Sequence, residues 1–273
     1  MKYILYILSF AFLLTACNNN TEKATEVYNY AVSLYDKGDL NKSKIALDSL
    51  KNNFPKEYDL IKESINLMRK IELKENEQTL NYTDSLLKIK INVADSLKNN
   101  FEFVKSEYED KGVYIYKGMN VEKNIERSYL RSGVYEDGDI YLSSVYYGKG
   151  NINHTGITLN IPNTETEVST ISVPYDGGTN YRFNDNGNNS EIVTYKKGKD
   201  NGAIAFIANN QDKKIKITYT GEKKYITYID KLSQKSIAES FELASVLSDI
   251  NRLRQENNIA ESKIMYLNNK IKN

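Results

Sequence analysis

The apolar positions divide the chain into stretches of different period. Residues 22–110 carry apolar side chains at three- and four-residue spacing, with Pro55 and Gly38 the only breakers, and read as helical. Residues 112–230 hold 13 of the 14 glycines and the other two prolines, Pro162 and Pro174. Their apolar and aromatic residues come in short alternating runs bounded by Gly and Asn, the pattern of half-buried strands. Residues 233–272 return to the helical period with neither Gly nor Pro. Ahead of all three, Tyr3 to Ala16 is almost continuously apolar.

The central stretch predicts nine strand segments: 112–117, 126–135, 140–147, 153–161, 167–175, 179–184, 190–196, 202–209 and 215–229, the last a hairpin. Turn sequences separate them, among them Glu136-Asp137-Gly138-Asp139, Gly148-Lys149-Gly150-Asn151, Asp176-Gly177-Gly178 and Gly221-Glu222. Short strands at this spacing indicate an antiparallel sandwich or jelly-roll-like domain. No long helical run interrupts them, which argues against a parallel α/β sheet. The fold class expected is therefore α+β, with helices on both sides of the β region in sequence.

Two long helices show a coiled-coil-like face. Residues 81–109 place Leu86, Ile89, Val93, Leu97, Val104 and Tyr108 on one side, with Phe101 beside them. The C-terminal helix places Leu243, Leu247, Ile250, Ala260, Ile264, Leu267 and Ile271 on another, with polar Asn257 in the seam. The spacing fits packing of these helices against each other and equally self-association through the seam.

Residues 24–57, ATEVYNYAVSLYDKGDLNKSKIALDSLKNNFPKE, resemble one tetratricopeptide repeat, a helix–turn–helix unit of about 34 residues. Small Ala31 and Ser43 fall where that family brings its two helices close. Gly38-Asp39-Leu40 falls at the turn, Leu47 and Leu50 at core positions, and Pro55 past the second helix. Val27 and Leu50 depart from the pattern, where an aromatic and a small residue are usual. The resemblance implies a surface that packs against or binds protein. An ordinary helical hairpin fits the same residues.

The N-terminal apolar stretch is shorter than the roughly 20 residues a helix needs to cross a bilayer. A single charge at Lys2, an apolar run and small residues at its end form the pattern of a signal peptide over residues 1–16. The run ends in Leu14-Thr15-Ala16-Cys17, which resembles the bacterial lipobox. The resemblance implies diacylglycerol on the Cys17 thiol, cleavage before it, and a polar tether over residues 17–21. Several acyl chains hold a protein to a membrane where a single chain gives only marginal binding. Cys17 is the only cysteine, so the chain has no intrachain disulfide and no thiolate metal site. Asn18 lacks the aspartate that retains enterobacterial lipoproteins in the inner membrane, which favours the outer membrane.

Composition narrows the chemistry. The chain balances 37 basic against 36 acidic residues, and lysine outnumbers arginine 31 to 6. Nucleic-acid binders carry a basic excess or stripe, and none is present. There is no Walker A sequence and no dinucleotide-binding glycine pattern. His154, the one histidine, lies in INHTGITL within a strand pattern, and no Gly-x-Ser-x-Gly elbow occurs, so a structural or surface histidine is expected. Nothing singles out a carboxylate pair of the glycosidase kind. Asp176, Asp185, Asn186, Asn188 and Glu191 supply oxygens of the sort calcium prefers, but not at EF-hand spacing, and turns require the same residue types. Tyrosine is enriched, with 13 of 22 in the β region. Tyr146, Tyr147, Tyr175 and Tyr181 are candidates for contact with a sugar or a protein, while the lack of tryptophan weakens the sugar reading. Asp48-Ser49-Leu50, Asp84-Ser85-Leu86 and Asp95-Ser96-Leu97 resemble the O-glycosylation acceptor triplet of Bacteroidota envelope proteins, which would modify Ser49, Ser85 and Ser96. Helix patterning also accounts for the triplet.

These readings converge on a lipid-anchored, non-catalytic cell-envelope protein without cofactor or metal, its partners membrane lipid through Cys17 and another protein. The alternatives are a surface glycan-binding lipoprotein and, behind it, an envelope hydrolase.

Overall fold

The computed structural model describes residues 20–105, 107, 110–185 and 187–272. Cys17, the signal-peptide segment, Tyr108, Asn186 and the side chain of Asp185 lie outside the described residues. The chain forms two compact units, one of residues up to Ser85 together with Arg254–Asn273, the other of Leu86–Leu253. The fold is α+β, with two antiparallel sheets and long helices.

The helical unit begins with α1, helical over residues 20–36, and α2 (Leu40–Asn53). Gly38 closes α1 in the left-handed region (φ +81°), where a residue without Cβ carries no steric cost. The Asp39 N–H donates to Leu34 O and the Gly38 N–H to Tyr35 O, the paired bonds that satisfy the last carbonyls of a helix. Ser43 is fully buried and donates to Ala31 O at 2.8 Å, so the two helices approach closely where both side chains are small. Leu34, Leu47, Leu67 and Ile71 fill the core of this unit, the last two from α3 (Tyr58–Lys98). The end of α5 (Lys231–Lys272) joins it, burying Ala260 and Leu267. Asn257 is buried there, bonded to Thr83 and Asp84 of α3.

The β unit holds a six-stranded sheet in the order β1-β2-β3-β4-β8-β7 and a four-stranded sheet in the order β10-β9-β5-β6. In the first, β1 (Phe101–Val104), β2 (Val113–Tyr116), β3 (Tyr129–Tyr135) and β4 (Ile140–Gly148) form a meander, followed across the sheet by β8 (Asn188–Tyr195) and β7 (Asn180–Asp185). The second contains β5 (Gly156–Asn160), β6 (Glu167–Ser169), β9 (Lys216–Thr220) and β10 (Tyr225–Tyr228). Strand β4 is buried on both faces. Leu142 and Tyr146 join a core with Ile157, Leu159, Ile217 and Tyr219 of the second sheet. Val145, pointing the other way, joins a core with Leu243, Leu247 and Ile250 of α5 and Ala94 of α3. The β unit is thus a sandwich whose larger sheet also has helices on its outer side.

Three local expectations fail. The helical reading of 22–110 runs too far: α3 ends at Lys98, and Phe101–Val104 is a strand paired with Val113–Tyr116. The Asn99-Asn100 turn stops the helix, and the aromatic and branched side chains of FEFV gain a ladder partner. Phe101 and Val104 are therefore not on a helix face. The face of α3 is also misplaced there, since Ile89 and Val93 are exposed while Ala94 is buried with Leu87, Ile91 and Leu97 against it. Segment 202–209 forms a helix, α4 (Ala203–Ala208), not a strand. It buries Ala203, Ile204 and Ile207 at helical spacing, and a short apolar run does not declare its period.

The β3–β4 turn is seated directly on α5. Gly138 has φ +89°, and a Cβ there would lie 2.6 Å from Ser248 N and 3.0 Å from Ala244 O, both backbone atoms. Asn251 Nδ2 donates to Asp137 O in the same turn. Gly138→Ala is expected to cost about 2–4 kcal/mol, from strained backbone and the push against a helix that cannot yield locally. Urea unfolding checks this through a lower midpoint at unchanged slope.

Candidate functional site

His154 lies just before β5 and is completely buried. Its Nδ1 is 3.0 Å from Glu191 Oε2, and its Nε2 is 3.0 Å from Ser144 Oγ. An ionised carboxylate only accepts, so Nδ1 donates to Glu191 while Nε2 faces the Ser144 hydroxyl. Tyr195 OH stands 3.1 Å from Ser144 Oγ and completes the chain. Strand period explains the convergence. Ser144 on β4 is opposite Val193 on β8, and Glu191 lies two residues from Val193, so both point toward the second sheet.

Nucleophile, base and orienting carboxylate at these distances are the parts of an acyl-transfer triad. Here none of Ser144, His154 and Glu191 has any solvent exposure. A triad acts on a carbonyl held about 3 Å from its nucleophile, and packing leaves no path for one. What the arrangement does is hold backbone. Glu191 Oε1 accepts from the Ile152 and Asn153 N–H groups, and Oε2 accepts from the His154 N–H. Burial alone would push the Glu191 carboxyl up, but the His154 ring and the His154, Asn153 and Ile152 N–H groups outweigh it and hold the carboxyl at about 2. Burial pushes the Tyr195 phenol up to about 12. Neither Ser144 nor Glu191 as a partner of His154 was legible beforehand, since 10 and 37 residues of chain separate them from it.

The four candidate tyrosines do not form one platform. Tyr146 is buried, its ring against Tyr225 and Tyr219 and its hydroxyl donating to Gly150 O. Tyr175 is exposed, with the Arg182 guanidinium 5.1 Å from its ring centre. Tyr147 and Tyr181 alone come together, half-buried, in a groove of about 110 Å³ on the helix-facing side of the larger sheet.

The oxygen-rich stretch 175–191 is spent on turn and core. Asp176 accepts from the Asn180 and Gly178 N–H groups and from the Thr179 hydroxyl, bonds that hold its carboxyl at about 2. Glu191 faces the core instead, and Asn188 opens β8. Among the described residues no three His, Cys, Asp or Glu side chains are grouped as a metal site requires. Ser49 lies half-buried in α2, and Ser85 and Ser96 are exposed on α3. No helix of the described residues is long and apolar enough to cross a membrane.

The helical unit carries a groove of about 450 Å³ between α1 and α3. Tyr28, Val32 and Tyr35 form one wall, and Glu63, Leu67 and Lys70 the other. Burial, the Glu63 charge and a hydrogen bond to Glu63 all raise the Tyr28 phenol above its ordinary value. Lys74 Nζ lies 5.1 Å over the Tyr35 ring.

Compared with protein-family models, with curated proteins and with solved structures, the chain gives no match in any of the three.

Glu191 sets an acid limit on stability. Its folded value of about 2 lies below the ordinary 4.5, so its contribution is complete above pH 4.5 and is lost as pH falls through 2. The difference corresponds to about 3 kcal/mol. Urea midpoints taken across this window should fall for the native chain and change far less for Glu191→Gln, which should already be about 3 kcal/mol weaker at pH 7.

Proposed function

We propose that this chain is a lipid-anchored, non-catalytic protein of the bacterial cell envelope that holds a protein partner through its helical unit. The observation that carries the reading is the groove between α1 and α3, where two tyrosine rings and Val32 meet Leu67 under a rim of Glu63 and Lys70. Aromatic rings with an apolar body and a polar tip, flanked by both signs of charge, suit a peptide segment or helix. The tetratricopeptide-like sequence of residues 24–57 supports the same use. The lipobox-like Leu14-Thr15-Ala16-Cys17 supports an acyl anchor at Cys17, and Asn18 favours the outer membrane. Burial of the single histidine supports a binding role, because its ring is committed to the core.

Capture of the full chain from gently solubilised envelopes tests this. The native protein should bring down one stoichiometric partner. Glu63→Lys with Lys70→Glu, both exposed at the groove rim, should lose it while the unfolding midpoint stays near native. Cys17→Ala should abolish incorporation of labelled palmitate and release the protein from the membrane fraction. A partner retained by the groove variant would overturn the reading.

A further inference from the structure

The groove that holds Tyr147 and Tyr181 is built from two cross-strand rows on one face of the larger sheet. The register aligns Tyr129, Val145, Ile192 and Tyr181 in one row and Tyr147, Ser190 and Phe183 in the next. Val121, Asn124, Ile125, Glu126, Arg127 and Arg131 complete the lining. The backbone reverses at Glu126, a non-glycine residue at φ +64°, and Ile125 and Arg127 on either side of it both line the groove. Strain of this kind gathers where a binding surface has to be held in place.

The cations are the unusual feature. Only 6 of the 37 basic residues are arginines, yet two of them and no lysine line this groove. Nε and Nη2 of Arg127 and Nε of Arg131 are buried without a hydrogen-bond partner among the described residues. The nearest carboxylate to Arg127, Asp230, is 3.7 Å away, beyond hydrogen-bond reach. Buried donors left open are rare in folded proteins, because each forfeits the hydration it had in the unfolded chain. The Arg127 guanidinium is held 4.9 Å over the Tyr129 ring, which fixes its plane. Planar forks of this sort recognise carboxylate or phosphate. Glu126 also lines the groove, and its charge with that of Asp230 balances the two arginines, so an anion is held here by the geometry of the guanidinium forks and not by net charge.

The remaining surface selects what carries that charge. The Tyr181 and Phe183 rings lie within 15° of parallel as a stacked pair, and Phe183 is 51% exposed, giving an apolar ledge at the sheet edge. Hydroxyls of Tyr147, Tyr181 and Ser190 have no hydrogen-bond partner among the described residues and stand beside the ledge. A cavity of about 110 Å³ takes one ring, not a whole drug-sized ligand. We infer that this groove binds a carboxylate-bearing sugar residue, such as a uronate, with the carboxylate on Arg127 and Arg131 and the ring against Tyr181 and Phe183. This site lies in the β unit and does not depend on the partner groove of the helical unit.

Titration of the full chain in detergent with glucuronate, galacturonate, glucose and N-acetylphenylalanine, followed by calorimetry and ligand-observed NMR, tests the assignment. Saturable binding of a uronate is expected, with glucose at least about tenfold weaker. Arg131→Gln and Arg131→Lys should each weaken the uronate about tenfold at an unchanged unfolding midpoint, since lysine keeps the charge and loses the fork. The helical-groove variant should bind the uronate as the native chain does. The inference is overturned by absence of saturable uronate binding, by equal affinity for glucose, or by uronate binding that survives Arg131→Gln. Preference for N-acetylphenylalanine over both uronates would also overturn it, in favour of a peptide C-terminus.

Discussion

One carboxylate joins the two sheets of the β unit. Glu191 belongs to the larger sheet, and the three N–H groups it receives belong to the segment that leads into β5 of the smaller one. That segment runs through the interior edge of the sandwich without a ladder partner of its own at Ile152 and Asn153, so its donors need an acceptor from outside the backbone. The carboxylate supplies one that is charged, short-ranged and directional. His154 extends the same link to Ser144 and Tyr195 on β4 and β8. Tyr219 makes a second crossing, from β9 to the Val145 carbonyl of β4 at 3.1 Å. With these bonds in place, the apolar side chains between the sheets have only one register in which to close.

That register has consequences on the opposite face of the larger sheet. If Ser144 and Glu191 point inward, Val145 and Ile192 must point outward, because successive side chains alternate. The outward row continues to Tyr129 and Tyr181, and part of it is buried beneath α5. The rest floors the arginine-lined groove. The inner polar chain and the outer aromatic groove are therefore two sides of the same strand pairing, and a slip of one residue in β4 against β8 would exchange them.

The general architecture was legible because it rests on local pattern. Alternation marked β3, β4, β8 and the β9–β10 hairpin, Gly-Asp and Gly-Gly marked the turns, and the three-and-four spacing marked α2 and the buried face of α5. What was not legible depended on tertiary partners. FEFV is short enough to read as the end of a helix until VYIY is placed beside it. AIAFIA fits a strand or a helical turn until the core shows which side must be buried. Ile89 and Val93 share a helical face that looks as apolar as the one α3 actually buries, which is centred on small Ala94. The Ser144–His154–Glu191 chain left no trace, since serine in a strand and glutamate near a turn are ordinary. Arg127-Ser128-Tyr129-Leu130-Arg131 did leave one: at strand period the two arginines flank the tyrosine on a single face, in a chain with few arginines.

The division of polar residues between core and surface bears on function. A catalytic site keeps its histidine and nucleophile reachable and lets the fold be stabilised by other means. This β unit does the reverse, committing its histidine, a serine, a glutamate and one tyrosine to mutual hydrogen bonds inside the sandwich. On the outer side of the larger sheet, Arg127 and Arg131 line the groove and keep buried N–H groups without a hydrogen-bond partner among the described residues. The histidine, serine and glutamate of this unit are thus engaged in holding its two sheets together.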